Sequence, residues 1–342
     1  MHKTNIGIFK IAQTRVNWPS VVEWLEFLGI KNVDAILQQL AAPSIAGSLP
    51  GKDLNHWTLQ KLDECPATDA SALISLCGKR CYASFDTESK LNPNVTKIRT
   101  DHKEYVVNVL KSGHGSILEH ATWSFSIENV SRVFTGEMNR HRAGVAISEA
   151  SMRYIRFDDI GFTVPASLEL TDNEIHHLEK ANKLTSNDAG RRDRMMAHFL
   201  LDQRPSEFMK YTTTEEQDIV FTACRKLISL DAFEKSFEGM QKLNLDLCNI
   251  WKIEEMTDFT KKKQLTSMFR RIIGMGVSTG GVWTINARAL RHILALRGSV
   301  HAEEEIFHVF SRIADIMIAD EPLLFGDFVR NEEGWVAKYP KV

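Results

Sequence analysis

Three side chains able to hold an anion stand together in NRHRAGVAISEASMRY, residues 139–154: Arg140, His141 and Arg142. Ser151 and Arg153 follow shortly after. In an extended EASMRY, Glu149, Ser151 and Arg153 point one way while Met152 and Tyr154 point the other, because side chains alternate along a strand. A hydroxyl beside a guanidinium makes a phosphate clamp, since the arginine fork matches two phosphate oxygens. On a helix spanning 131–142, Arg140 and Arg142 lie about 200° apart and cannot serve one anion from one face. Either they face two ligands, or two sides of one large ligand, or they are surface arginines at a frayed helix end. The residues alone leave these alternatives open.

A second basic constellation is WTINARALRHILALRG, residues 283–298. Read as a helix from 284 to 297, it places Asn286 and Arg297 within about 20° of each other. Arg288, Arg291 and His292 share a different face, leaving Ala289, Ile293 and Leu296 for packing. The acidic run His301–Glu305 next to it either pairs with these arginines or opens the following helix, where carboxylates complement the helix dipole. A third stretch, GHGSILEH at 113–120, carries His114, Glu119 and His120. It lacks HExxH, and the i, i+6 spacing of its histidines is not one helix face, so a ligand lining or a satisfied core outranks a metal site. GMGVSTGG at 274–281 has glycines without the GxGxxG spacing or a surrounding βαβ pattern, which argues against a dinucleotide loop.

The elements that must position these residues alternate in period. A strand is expected over 4–13, a helix from Pro19 to Gly29, a linker at 41–51, and helices over 69–82 and 100–112. Trp123, Phe125 and Ile127 alternate with small polar residues, which predicts a half-buried strand. A helix over 131–142 follows, capped by Ser131 or Asn129, then an extended segment over 150–157. Residues 171–263 read as almost wholly helical, and 284–297 and 301–318 as two further helices. The expected class is α+β, with a mostly antiparallel sheet packed against long helices.

Composition bounds the partners. The chain has 342 residues, with 42 Lys and Arg against 44 Asp and Glu, a net charge of −2. That balance argues against a general nucleic-acid binder, so any anion site is local. The N-terminus lacks the pattern of a signal peptide, and no run is long and apolar enough for a membrane span, which points to a cytoplasmic protein. The five cysteines are odd in number and contain no CxxC pair, as expected of free thiols in a reducing compartment.

Taken together, HGSILEHATWSFSIENVSRVFTGEMNRHRAGVAISEASMRY and NARALRHILALR resemble the flavin-dependent thymidylate synthases, the ThyX family. The family motif is Arg-His-Arg, a short spacer and then Ser; here eight residues separate Arg142 from Ser151. The resemblance covers about 65–330, leaving 1–64 as an N-terminal strand and helix extension and 331–342 as a tail. It implies a homotetramer with active sites shared between subunits. It also implies FAD as cofactor, with NADPH and 5,10-methylenetetrahydrofolate as co-substrates, and methylation of dUMP at C5. By matched position, His114, Ser116, Arg140, His141, Arg142, Asn286, Ala287, Arg288 and His292 would line FAD. Glu149 would touch both ligands. Glu137, Arg140, Ala150, Ser151, Met152, Arg153 and Arg270 would bind dUMP. Arg297 would face the pyrimidine and stabilise charge as N3 ionises, the catalytic role. No metal is implied.

The chain departs from the family pattern at four places: Glu137 stands where Gln is usual, His292 where Asn is frequent, Ser267 for an acidic residue, and Gly274 for Pro. These changes bear on substrate identity. UMP or a modified pyrimidine nucleotide is the alternative acceptor, and an inactive flavin- or nucleotide-binding relative is the alternative outside catalysis.

Overall fold

A computed structural model describes residues 2–40, 67–88, 91–152, 159, 161–185, 197–204 and 206–341. The linker expected at 41–51, Cys65 and Arg153 lie outside the described residues.

In chain order, the first elements are β1 (His2–Thr4), β2 (Gly7–Gln13), α1 (Trp18–Phe27) and α2 (Val33–Leu40). The strand expected over 4–13 is thus two strands with separate partners. Pro19 sits in the first turn of α1, where its missing N–H is harmless, and Gly29 at φ +75° ends it. Next come α3 (Asp69–Cys81), α4 (His102–Lys111), the single turn α5 (Gly115–Leu118) and β3 (Thr122–Ser131). Thr68 opens α3 with a capping box to Ser71, and Asp101 caps α4.

The helix after β3 is shorter than its pattern suggests. α6 spans Arg132–Met138 and is followed by β4 (Val145–Glu149) and β5 (Gly161–Thr163). Arg140 and Arg142 therefore lie beyond the helix, and the argument that helical geometry separates them does not hold. Of the extended segment expected over 150–157, residues 153–157 lie outside the described residues, and β4 ends before it at Glu149. Ser151 and Met152 belong to no strand.

The remaining elements are α7 (Asp172–Thr185), α8 (Ser206–Tyr211), α9 (Thr214–Ile250), α10 (Phe259–Phe269), β6 (Ser278–Asn286), α11 (Ala287–Arg297), α12 (Glu304–Asp320), α13 (Pro322–Phe325), β7 (Phe328–Asn331) and β8 (Gly334–Ala337). The helical reading of 171–263 holds for most of its described part, with breaks at Arg204, at Thr212–Thr213 and at 251–258. Gly280 and Gly281 of the glycine-rich stretch lie inside β6. A Cβ at Gly281 would come within 2.7 Å of the Ser148 carbonyl, so glycine lets β4 and β6 approach.

The sheet order β2-β3-β6-β4 makes one four-stranded sheet, with β2–β3 and β4–β6 antiparallel; β1 and β5 pair in parallel, and β7–β8 form a hairpin. The class is α+β, as expected. The chain divides into two compact units. One comprises 1–6, 129–133 and 150–280, and the other comprises 7–128, 134–149 and 281–342.

In the first unit, Leu178, Leu200, Phe208, Val220 and Phe221 form one core, and Phe162 stacks on Phe237 in another. In the second, Trp123, Phe125, Ile127, Phe134, Trp283, Ile285, Ile293 and Phe310 are fully buried. Trp18, Leu25, Ile36 and Leu37 of the N-terminal helices pack with Ala72, Leu76 and Phe85 in a further cluster. The alternation read at 122–127 is therefore the inward face of β3.

Candidate functional site

The second unit gathers most of the singled-out residues around α11. The strand β6 runs as far as Asn286, which is extended (φ −79°, ψ 162°) and caps α11 by accepting from the Ala289 N–H at 2.8 Å. A helix from 284 therefore does not exist, and the shared face of Asn286 and Arg297 goes with it. The Asn286 N–H also donates to the Gly144 carbonyl at 3.0 Å, pinning the turn after α6 to the start of α11. Gly144 has φ +73°, and a Cβ there would lie within 2.8 Å of the Asn286 amide. Only glycine meets both conditions.

From this anchored start, Ala287, Leu290, Ile293 and Leu294 face the core, while Arg288 and His292 are exposed one turn apart. Arg291 does not join them. It is buried in a two-pronged pair with Asp327 (2.6 and 2.8 Å) and donates to the Leu324 and Tyr339 carbonyls. It thus secures the C-terminal hairpin rather than a ligand, a correction to the face read from spacing. Glu303 caps α12 through the N–H groups of Glu305 and Ile306, the dipole-side reading of the acidic run.

Arg297 closes α11 and is held on three sides. Its Nε donates to His141 Nε2 at 2.9 Å, its Nη1 lies 2.7 Å from Glu137 Oε2, and its Nη2 donates to the Glu137 carbonyl at 3.4 Å. Burial first, then the charges of Arg297 and the neighbouring His292 and Arg140, push the His141 pKa down to about 4. His141 is therefore neutral near pH 7 and free to accept from Arg297 through Nε2, which assigns its proton to Nδ1. The His141 and His292 rings meet edge to face at 6.2 Å. On the outer side, Arg140 Nη1 reaches both Glu137 oxygens at 3.3 Å.

Farther along the same surface, Arg288 pairs with Glu119 at 2.7 Å. A Cβ at Gly115 would meet Arg288 Nε at 2.8 Å, so glycine lets the guanidinium lie against α5 beside exposed Ser116. His114 stacks on Tyr82, whose hydroxyl is 3.3 Å from its Nε2. Asn139 Nδ2 donates to Glu149 Oε2 at 2.9 Å, fixing the end of β4. Arg142 is exposed on the turn before β4.

The first unit holds Ala150, Ser151, Met152 and Arg270. The Ala150 N–H donates to Gly280, and its carbonyl accepts from Arg132 Nη2 at 2.8 Å. Met152 is partly buried against the Phe162–Phe237 cluster, Ser151 is exposed, and Arg270 is exposed at the end of α10. Burial, and then Arg270, lower the pKa of Arg132. Tyr82, Asn139 and Arg132 were not read as site residues, and Glu119 was read only within the 113–120 stretch, without its partner Arg288. Glu119 and Arg288 are 169 positions apart, so no local pattern links them.

Among the described residues, no group of three or more His, Cys, Asp or Glu is disposed to hold a metal ion. No helix among them is long and apolar enough to cross a membrane.

The Thy1 family profile, described as thymidylate synthase complementing protein, matches residues 65–323. The chain belongs to this family. Relatives match it over most of their own length. The flavin-dependent thymidylate synthase of Mycolicibacterium gilvum (strain PYR-GCK) is 29% identical over 265 residues, covering 77% of this chain and 82% of the relative. That of Corynebacterium diphtheriae is 26% identical over 262 residues, covering 77% and 80%. That of Mycobacterium tuberculosis (strain ATCC 25177 / H37Ra) is 27% identical over 264 residues, covering 76% and 82%. A solved structure, Thymidylate Synthase X (ThyX) from Helicobacter pylori with FAD and dUMP, superposes with a TM-score of 0.41 at 19% identity, over 75% of this chain and 93% of that one.

Proposed function

We propose that this chain is a flavin-dependent thymidylate synthase: it methylates dUMP at C5 to dTMP, with methylenetetrahydrofolate as carbon donor and NADPH as reductant. The observation that carries the reading is Arg297, a guanidinium fixed by His141 and Glu137 at the end of α11. It borders a surface that also presents Arg288 and His292.

The residues present fit a flavin dinucleotide. Gly115 leaves the space in which Arg288 lies against α5, where a side chain would displace it. Arginine forks suit a diphosphate, and Ser116 and the neutral imidazole of His141 suit polar ring edges. In this reading His114, Ser116, Arg140, His141, Arg142, Glu149, Asn286, Arg288 and His292 hold FAD, with Ala287 contributing backbone because its side chain is buried. Bound FAD, once reduced by NADPH, would supply the hydride.

Arg140, Glu149, Ala150, Ser151, Met152, Arg153 and Arg270 bind dUMP, with Glu137 nearby through its pair with Arg297. Arg297 stabilises negative charge that develops on the uracil ring, and a guanidinium held in place before charge appears needs little reorganisation. Ser151 serves as a phosphate or sugar contact of dUMP. The four described cysteines are free thiols, and the chemistry proposed asks for no covalent nucleophile among them.

The family match from residue 65 supports reading 1–64 as an extension of a catalytic domain over 65–330. The assembly proposed is a homotetramer with shared active sites. Exposed Phe9 and Ile11 on β2, and exposed Ile250, Trp251 and Phe259 in the other unit, support burial against further copies. The free thiols suit a cytoplasmic location.

The test is direct. Purified protein should carry FAD, bleach with NADPH, and form dTMP only when dUMP and methylenetetrahydrofolate are both supplied. Absence of flavin and of dTMP would refute the reading.

A further inference from the structure

Glu137 is one of the four positions read as departures from the family pattern, and the geometry assigns it a task of its own. We infer that Glu137 is a positioning and selectivity residue: an internal anion that holds Arg297 until a uracil edge displaces it. The inference rests on the proposed function, because it takes Arg297 to be the group that receives the pyrimidine.

Three observations carry it. The Glu137 carboxylate is 2.7 Å from Arg297 Nη1, and its own carbonyl and His141 Nε2 accept from Nη2 and Nε, so every arm of the guanidinium is engaged. A planar ring bringing acceptor atoms to Arg297 must therefore compete with a carboxylate already in place. Second, the pair is sheltered: the Arg297 side chain is 12% exposed and that of Glu137 27%. A sheltered guanidinium that loses its counter-charge is left under-compensated and binds the next anion more firmly. Third, a destination for the displaced carboxylate exists. Arg140 Nη1 stands 3.3 Å from both Glu137 oxygens and its side chain is 69% exposed, free to follow the carboxylate outward. Glu137 thus lies between two arginines, one inward and one outward, and its transfer from Arg297 to Arg140 uncovers the inner one.

The chemical class that can win this competition is a ring whose edge accepts strongly or carries negative charge. A uracil imide losing its N3 proton meets that description. A glutamine at the same place accepts through a neutral oxygen and is displaced more readily. A glutamine is thereby the unlatched form, and Glu137 exchanges ground-state affinity for a demand on ring charge.

The experiment is calorimetric titration of dUMP into FAD-loaded protein, in wild type, Glu137→Gln, Arg297→Ala and the double variant. Glu137→Gln keeps the side-chain volume, and is expected to bind dUMP about fivefold more tightly. A gain is diagnostic, because loss of a merely structural pair weakens binding. In the Arg297→Ala background the same change should give no gain, as the two residues act as one unit. Equal or weaker binding by Glu137→Gln, or a gain that persists without Arg297, would overturn the latch while leaving the function standing. Failure of all four FAD-loaded proteins to bind dUMP would overturn the functional reading, and the latch with it.

Discussion

Arg297 and His141 form a pair in which each member determines the state of the other. The imidazole is kept neutral because burial and the adjacent guanidinium oppose a second positive charge, and the neutral ring then orients that guanidinium. The folded pKa, about 4, lies below the ordinary 6.5, so the unfolded chain takes up the proton first as pH falls. The contribution of this contact to stability is complete above pH 6.5 and is lost as pH drops toward about 4. Thermal unfolding of wild type and His141→Asn across that window should show the steeper loss in wild type; parallel curves would refute the assignment. At the same scale, Arg297→Ala should lower kcat/KM for dUMP by roughly 10²–10³ while FAD stays bound, the loss expected when a fixed charge-stabilising donor is removed. Steady-state kinetics with the flavin spectrum as control decides it.

The elements around these residues are held by caps and one buried ion pair, and single changes expose each. Asn286→Ala removes the α11 cap and should cost about 1 kcal/mol in denaturant unfolding. Arg291→Met should cost more, about 3–5 kcal/mol, because it strands Asp327 in a buried site; adding Asp327→Leu should recover part of that loss. Undiminished stability in Arg291→Met would show that the hairpin does not depend on the pair. These elements also show what was legible in the sequence. The inward face of β3 was plain at Trp123, Phe125 and Ile127, because one buried face of a strand imposes strict alternation. The Pro and Gly punctuation of α1, and the helices at 69–81 and 102–111, were equally plain. The ends of α6 and α11 were not. Helical propensity continues through Asn139–Arg142, and only the Gly144–Asn286 contact, made between distant parts of the chain, settles where the turn falls. Arg291 read as sharing a face with Arg288 and His292, because its partner Asp327 lies 36 positions away, beyond any local pattern.

For the whole molecule, the acidic and basic residues nearly balance, and yet the second unit presents Arg140 and Arg142 on the turn after α6 and Arg288, His292 and Arg297 on α11. The family match over residues 65–323 includes these side chains, and the relatives match over most of their own length, so the activity proposed is that of the entire chain. The departure at Glu137 directs attention to the acceptor. The most direct measurement is mass spectrometry of the nucleotides formed anaerobically by the FAD-loaded enzyme with NADPH and methylenetetrahydrofolate, offered dUMP and UMP together. The account predicts dTMP as the methylated product, abolished in Arg297→Ala. Methylated UMP in place of dTMP, or no methylated nucleotide from a protein that holds its flavin, would contradict it.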